Sequence, residues 1–196
     1  MKKNIFELRP TQFSLGLKEV DFKVKKLAGM KSSEQDEFLK DRLVPVVKFR
    51  EKQYHVVDHH HLVRACWEVD IEEVFVEVIE DFSEHDEDEF WKKMRTKKLV
   101  HLYDQFGKGP HDHTLLPYDI RGLADDPYRS LAWMIREDGG FDKVETPFFE
   151  FKWADFFRDR VLIERTEKGF DVARKEAMKL AHSEEAKHLP GFKAKK

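Results

Sequence analysis

The chain predicts an α/β (α+β) protein on three observations. Short apolar runs with strand-like alternation crowd the first 81 residues, helical spacing follows them, and from residue 126 onward the pattern is helical alone. The expected architecture is a small mixed sheet with flanking helices and a mainly helical C-terminal half packed on it. Residues 1–105 are expected to form the α/β core, 106–186 a helical extension of the same unit, and 187–196 a frayed basic tail.

Element by element, Ile5 to Leu8 reads as a strand ended by Arg9-Pro10, and Lys18 to Leu27 as a charged helix stopped at Gly29. Ser32 or Ser33 is the expected cap of a helix reaching about Leu43. VPVVKF (Val44 to Phe49), a turn at Arg50 to Lys52, and QYHVVD predict two adjacent strands, with EVFVEVIED (Glu73 to Asp81) a further, largely buried one. Ser83 is expected to cap a helix over Glu84 to Lys98, whose acidic-then-basic order suits the helix dipole. After the Gly-, Pro- and His-rich loop FGKGPHDHTLLPYD come three helices. The first is opened by Asp126-Pro127 and closed at Gly139-Gly140, and the others cover about Phe149 to Ile163 and Gly169 to Ser183. The aromatic set Trp133, Phe148, Phe149, Phe151, Trp153, Phe156 and Phe157 is expected to be core.

Length and composition bound the function. The 196 residues carry 36 basic and 39 acidic side chains, so no general basic field invites nucleic acid. No stretch approaches the ~18 consecutive apolar residues of a membrane span, and MKKNIFELRP lacks the apolar run of a signal peptide. A single cysteine, Cys66, excludes an internal disulfide and reads as a core thiol on an apolar helical face. The expectation is a cytoplasmic protein with no membrane partner.

The candidate chemistry centres on YHVVDHHHLVRACWEV (Tyr54 to Val69), where a strand hands over to a helix at Asp58, His59, His60 and His61. The first turn of a helix carries unpaired N–H groups and partial positive charge, so imidazoles there can receive phosphate or carboxylate. His60 and His61 lie four and three residues before Arg64, spacings that allow either pair to grip a phosphate. Successive helical residues are ~100° apart, so the three histidines cannot chelate one metal from a regular helix. Asp58 is also a candidate N-cap.

Three segments resemble the ParB/sulfiredoxin superfamily, and its ParB-like nuclease branch most closely. They are LRPTQFSLGLKEV, VVDHHHLVRA, and LLPYDIRGLADDPYRSLAWMIR with PFFEFKWADFF, together spanning Leu8 to Phe157. In that superfamily the strand-to-helix turn holds nucleotide phosphates. Asp58, His60 and His61 match the Asp-Gly-His-His box of its free-serine kinases, and Arg64-Ala65 match the Arg-Ala that closes the ParB box. His59 stands where the kinase box has glycine, and Leu62 where an arginine is found. The sulfiredoxin cysteine falls at His60, so that chemistry is set aside. The resemblance also implies that Glu19 is a general base beside the nucleotide.

A second cluster, His111, His113, Asp119 and Arg121, falls in the Pro- and Gly-punctuated loop, where binding groups are common. His111 and His113 could share a metal ion, since alternate side chains of an extended segment point the same way. Asp119 and Arg121 could instead form an ion pair holding the halves together. The leading expectation is a nucleotide-binding enzyme. It would transfer or hydrolyse phosphate from a nucleoside di- or triphosphate with Mg2+, to a small-molecule acceptor, using Asp58, Glu19 and His61. The rival is a metal-dependent nuclease or DNA-processing protein using His111 or His113, disfavoured by the charge balance. A non-catalytic nucleotide-sensing module is the third reading.

Overall fold

A computed structural model of the chain describes residues 1–164 and 166–194. Strands Lys2–Asn4 (β1) and Leu8–Pro10 (β2) flank a 3-10 turn at Ile5–Glu7, where a single strand was expected. The turn forms because the Asn4 side chain accepts the Phe6 amide at 2.9 Å while Ile5 is buried at 1% exposure. Then come Ser14–Leu15 (β3), helices Leu17–Ala28 (α1) and Ser32–Lys40 (α2), strands Val44–Phe49 (β4) and Gln53–Val56 (β5), helix His60–Glu68 (α3), strand Glu73–Asp81 (β6), and helix Glu87–Thr96 (α4). The last elements are strand Ala124–Asp125 (β7) and helices Pro127–Glu137 (α5), Phe149–Arg158 (α6) and Glu167–Ala181 (α7).

Among the described residues, five strands form one mixed sheet in the order β1-β6-β4-β5-β2. The two strands expected to be adjacent, β4 and β5, pair antiparallel with Val47 opposite His55, while β2 runs parallel to β5 with Arg9 opposite His55. The outer strands β1 and β2 are only a 3-10 turn apart in sequence. A flat sheet would put them about 19 Å apart at ~4.8 Å per strand, beyond the roughly 14 Å reach of the four Cα steps from Asn4 to Leu8. The sheet therefore curls until its edges approach, and Lys3 of β1 sits 4.3 Å over the ring of Tyr54 on β5. Pro10 is tolerated in β2 because that strand has a partner on one side only.

The chain divides into two compact units. One comprises Met1–Leu15 with Val20–Asp125; the other comprises Gly16–Glu19 with the chain from Asp126 onward. Residues 106–125 thus belong with the sheet, tied in by the parallel β3–β7 pair, Ser14 opposite Ala124. The core on one side of the sheet joins Val47 and Phe49 to Phe82, Phe90, Trp91, Met94, Val100 and Leu102. β6 is only partly buried: Val74 and Val76 are covered, whereas Ile79 is 42% exposed.

The second unit has its own core of Leu131, Ile135, Phe141, Trp153, Phe157 and the alanines of α7, with Phe141 and Trp153 stacked at 4.1 Å. Asp126 caps α5 by accepting the Tyr128 amide and also pairs with Arg158 at 2.8 Å. Gly16 lets the start of α1 approach α5: a Cβ there would lie 2.6 Å from the Ser130 amide nitrogen, and the Lys18 amide donates to Ser130 Oγ. The tail is packed rather than frayed through Phe192. Leu189 is buried, Trp153 Nε1 donates to Pro190 O, and Phe192 bridges to Phe141. Lys195 and Lys196 lie outside the described residues.

Two caps differ from expectation. Lys31 precedes α2, its amide donating to Glu34 Oε2, so Ser32 begins that helix rather than capping it. Asp86 caps α4, because Ser83 is drawn back by two hydrogen bonds to Asp81 Oδ1.

Candidate functional site at the start of helix α3

His59, not Asp58, is the residue preceding α3, and it takes the left-handed conformation at φ 66°, ψ 19°. Only glycine adopts that region without steric cost, so the backbone of the box has the turn a glycine would give although histidine occupies the position. Asp58 is exposed, and its Oδ1 accepts the His59 amide at 2.6 Å, which pins the turn. In the first turn of α3 the Leu62 and Val63 amides donate to His59 O at 2.9 and 3.0 Å, which leaves the His60 and His61 amides ahead of the helical hydrogen-bond ladder.

The three histidines part company. His60 is turned inward, 3% exposed, with Nε2 accepting the Thr11 amide at 3.3 Å. Burial drives its pKa down to about 3, so the ring is neutral at physiological pH, and its bond to Thr11 ties the segment after β2 to α3. His61 is half-buried in the first turn, and His59 precedes it in the turn itself. Arg64 runs along its own helix, Nε donating to Glu68 Oε1 at 2.8 Å with the guanidinium over Trp67. Engaging a phosphate at the helix start requires Arg64 to leave Glu68. Cys66 is fully buried and its thiol is pushed up to about 12, as befits an inert core group.

Glu19 lies in the first turn of α1, 8% exposed, in the unit that contains α5. Asp119 and Arg121 do form an ion pair, but within one loop: Asp119 accepts the Arg121 backbone amide, Nε at 3.0 Å and Nη2 at 2.7 Å. Arg121 holds the Asp119 carboxyl below the usual carboxylate range. The 3-10 turn they build at Ile120–Gly122 packs on both α3 and β2, which brings this loop to the histidine box. His111 and His113 have separate engagements. His111 Nε2 meets Asp104 Oδ2 at 3.0 Å with its ring against Phe13, and the His113 ring lies 4.5 Å from that of Trp91. Among the described residues no three or more His, Cys, Asp or Glu side chains are gathered so as to hold a metal ion.

Residues that composition and spacing left unassigned complete the surroundings. Thr11 joins β2 to the box, its hydroxyl donating to Val56 O at 2.6 Å. Arg9 stacks on Tyr118 at 3.7 Å. His55, opposite Arg9, is buried among Phe49, Phe90 and Trp91, and neither ring nitrogen has a hydrogen-bond partner among the described residues. Burial first, and the charge of Arg9 second, lower its pKa to about 3. The signal for His55 was strand alternation, which puts it on the face of Val47 rather than that of Val56.

A curled mixed sheet whose strand-to-helix turn carries this box is a ParB-like arrangement. The chain belongs to the family described as "Putative ParB-like nuclease", which it matches over residues 1–159. It is similar to the crystal structure of protein Atu1540 from Agrobacterium tumefaciens, with 39% identity and a TM-score of 0.92, over 100% of this chain and 97% of that one. No curated protein matches it. No helix among the described residues is long and apolar enough to cross a membrane.

Proposed function

We propose that this ParB-like protein binds a nucleoside di- or triphosphate at the start of α3 and transfers or hydrolyses its phosphate. The observation that carries the reading is His59. A left-handed residue at the glycine position of the box keeps the turn that lets backbone amides approach a phosphate, at a cost of roughly 1–2 kcal/mol for a non-glycine residue. Such strain persists where the surroundings enforce it, and it clusters at functional sites. In this reading the His61 ring and the backbone amides of His60 and His61 hold the phosphate. Arg64 swings from Glu68 to join them. The exposed Asp58 carboxylate orients or deprotonates the acceptor hydroxyl. Mg2+ suits the donor set, since it is commonly held by one or two carboxylates plus substrate phosphates; when bound it neutralises phosphate charge. The His60 ring has no part in binding. Glu19 keeps the general-base role that the resemblance implies, and a variant tests it.

Incubation with ATP, ADP or CTP, Mg2+ and a pool of small hydroxylated metabolites is expected to show nucleotide turnover. Asp58→Asn should reduce it about a hundredfold, the scale for losing a general acid or base, and Glu19→Gln likewise if its role is catalytic. Turnover unaffected by Asp58→Asn would reject the assignment.

A nuclease reading is favoured by the family's description. It replaces the acceptor by water and the nucleotide by a phosphodiester. Metal-dependent nicking of plasmid, lost in His111→Ala and untouched by Glu19→Gln, would establish it instead.

A further inference from the structure

The two sides of β6 are covered unequally. On the inner side β4 accompanies it to its end, with Val44 opposite Val76 and Lys48 opposite Asp81. On the outer side β1 reaches Phe75, and the two backbone bonds between Met1 and Val76, at 2.7 and 3.0 Å, are the last described. Among the described residues no strand lies beside Glu77 to Asp81 on that side, so backbone donors and acceptors face outward there. The register with β4 slips in the same stretch, Val46 lying opposite Val78 and Val47 opposite Glu80, and the residue left over is Ile79, 42% exposed. The edge strands β1 and β2 are only three residues each, and β2 ends in Pro10, which has no amide to give.

We propose that this open length of β6 takes up an extended basic segment of a partner protein as an additional strand. In strand addition the backbone pairing supplies the attraction and the side chains choose the partner. The side chains here are Glu77, Glu80 and Asp81 around Val78 and Ile79. A second copy of the chain is a poor occupant: paired antiparallel about Ile79, it would set Glu77 opposite Asp81, like charge against like. A strand that alternates lysine or arginine with β-branched residues meets the acids with opposite charge and covers Ile79. Lys97 pairs with Glu80 at 2.6 Å and Lys48 with Asp81 at 3.1 Å, both at the surface, where exchange for a partner's cation costs little. This inference goes beyond the α3 reading and requires neither phosphate nor Asp58.

Calorimetry of the full chain with a blocked peptide alternating lysine and valine tests it, together with hydrogen exchange of the backbone amides. The peptide is expected to bind and to slow exchange within Glu77 to Asp81. The same peptide with every amide N-methylated keeps its charge but loses its ladder donors, and should bind about tenfold or more weakly. Glutamate in place of its lysines should weaken it as well, and Glu77→Lys in the protein should weaken the lysine peptide roughly fivefold or more. Glu77 is exposed, so that variant leaves the core intact. The proposal is overturned if the lysine peptide does not bind, if the N-methylated or glutamate peptide binds as well, or if protection falls outside β6. A dimer of the chain that protects the same amides would overturn it in favour of a second copy. None of these results depends on whether ATP or CTP is turned over.

Discussion

His59, His60 and His61 are chemically identical neighbours with different surroundings, and those surroundings decide what each can do. A run of histidines has no phase of its own. With His59 rather than Asp58 as the cap, the helix starts at His60, whose ring lies on the buried face, and His61 lies on the more accessible one. The sequence located the box but not its phase, because a left-handed histidine before a helix has no residue-type signature comparable to glycine. The strain is measurable. His59→Val should destabilise the protein by about 1–2 kcal/mol relative to His59→Gly, since a β-branched residue fits the left-handed region worst. Equal stability of the two variants in urea would show that the turn is not enforced.

His55 and His60 make a second prediction at this scale. Both are near pKa 3 in the folded chain, below the unfolded value of 6.5, because burial disfavours their charged forms. A depressed folded pKa gives stability that is complete above the unfolded value and is lost as pH falls from 6.5 toward 3. At pH 5 each histidine should cost on the order of 2 kcal/mol relative to pH 7.5. His55→Phe replaces a ring with two unpartnered nitrogens by an apolar one among Phe49, Phe90 and Trp91. It should remove about half of that pH dependence in urea denaturation. An unchanged dependence would mean that His55 is not held neutral.

Among the elements, legibility followed the locality of the signal. Asp126-Pro127 announces α5 through a cap and a first-turn proline, and the helix begins there. Ser83 announces a cap no less plainly in sequence, but Asp81, two residues earlier, takes its hydroxyl and its amide. The 3-10 turn at Ile5–Glu7 has a local cap in Asn4, but the split of this segment into two strands at opposite edges is set by the closing of the sheet, a long-range demand. Asp126 also carries a long-range demand, the pairing of its buried carboxylate with the partly exposed Arg158. Asp126→Ala removes both the cap and the short contact to Arg158, which keeps a longer one to Asp155, and should cost about 1–3 kcal/mol. Asp126→Asn keeps an acceptor for the Tyr128 amide and should cost less. Gly16→Ala should destabilise as well, because the backbone of Ser130 cannot retreat from a Cβ at 2.6 Å. Thermal unfolding that ranks Asp126→Asn below Asp126→Ala would contradict this account of α5.

At the scale of the whole molecule, the fold class and family were legible because alternation and motif spacing are spread over most of the chain. The curl of the sheet was not, since it depends on which strands become the edges. The candidate site was legible in part. Asp58, His61 and the loop carrying Asp119 and Arg121 are placed at or against α3, while Arg9, Thr11 and Tyr118 could be connected to it only through the parallel β2–β5 pairing and the loop's packing. The central claim is that phosphate binds at the start of α3. Its most direct test is a crystal structure of the protein soaked with ATP or CTP and Mg2+. Phosphate density is expected within hydrogen-bond distance, about 2.7–3.2 Å, of the His60 and His61 amides and the His61 ring, with Arg64 turned away from Glu68 and the His60 ring still bonded to Thr11. Nucleotide bound elsewhere, with α3 bare and Arg64 still on Glu68, would contradict it.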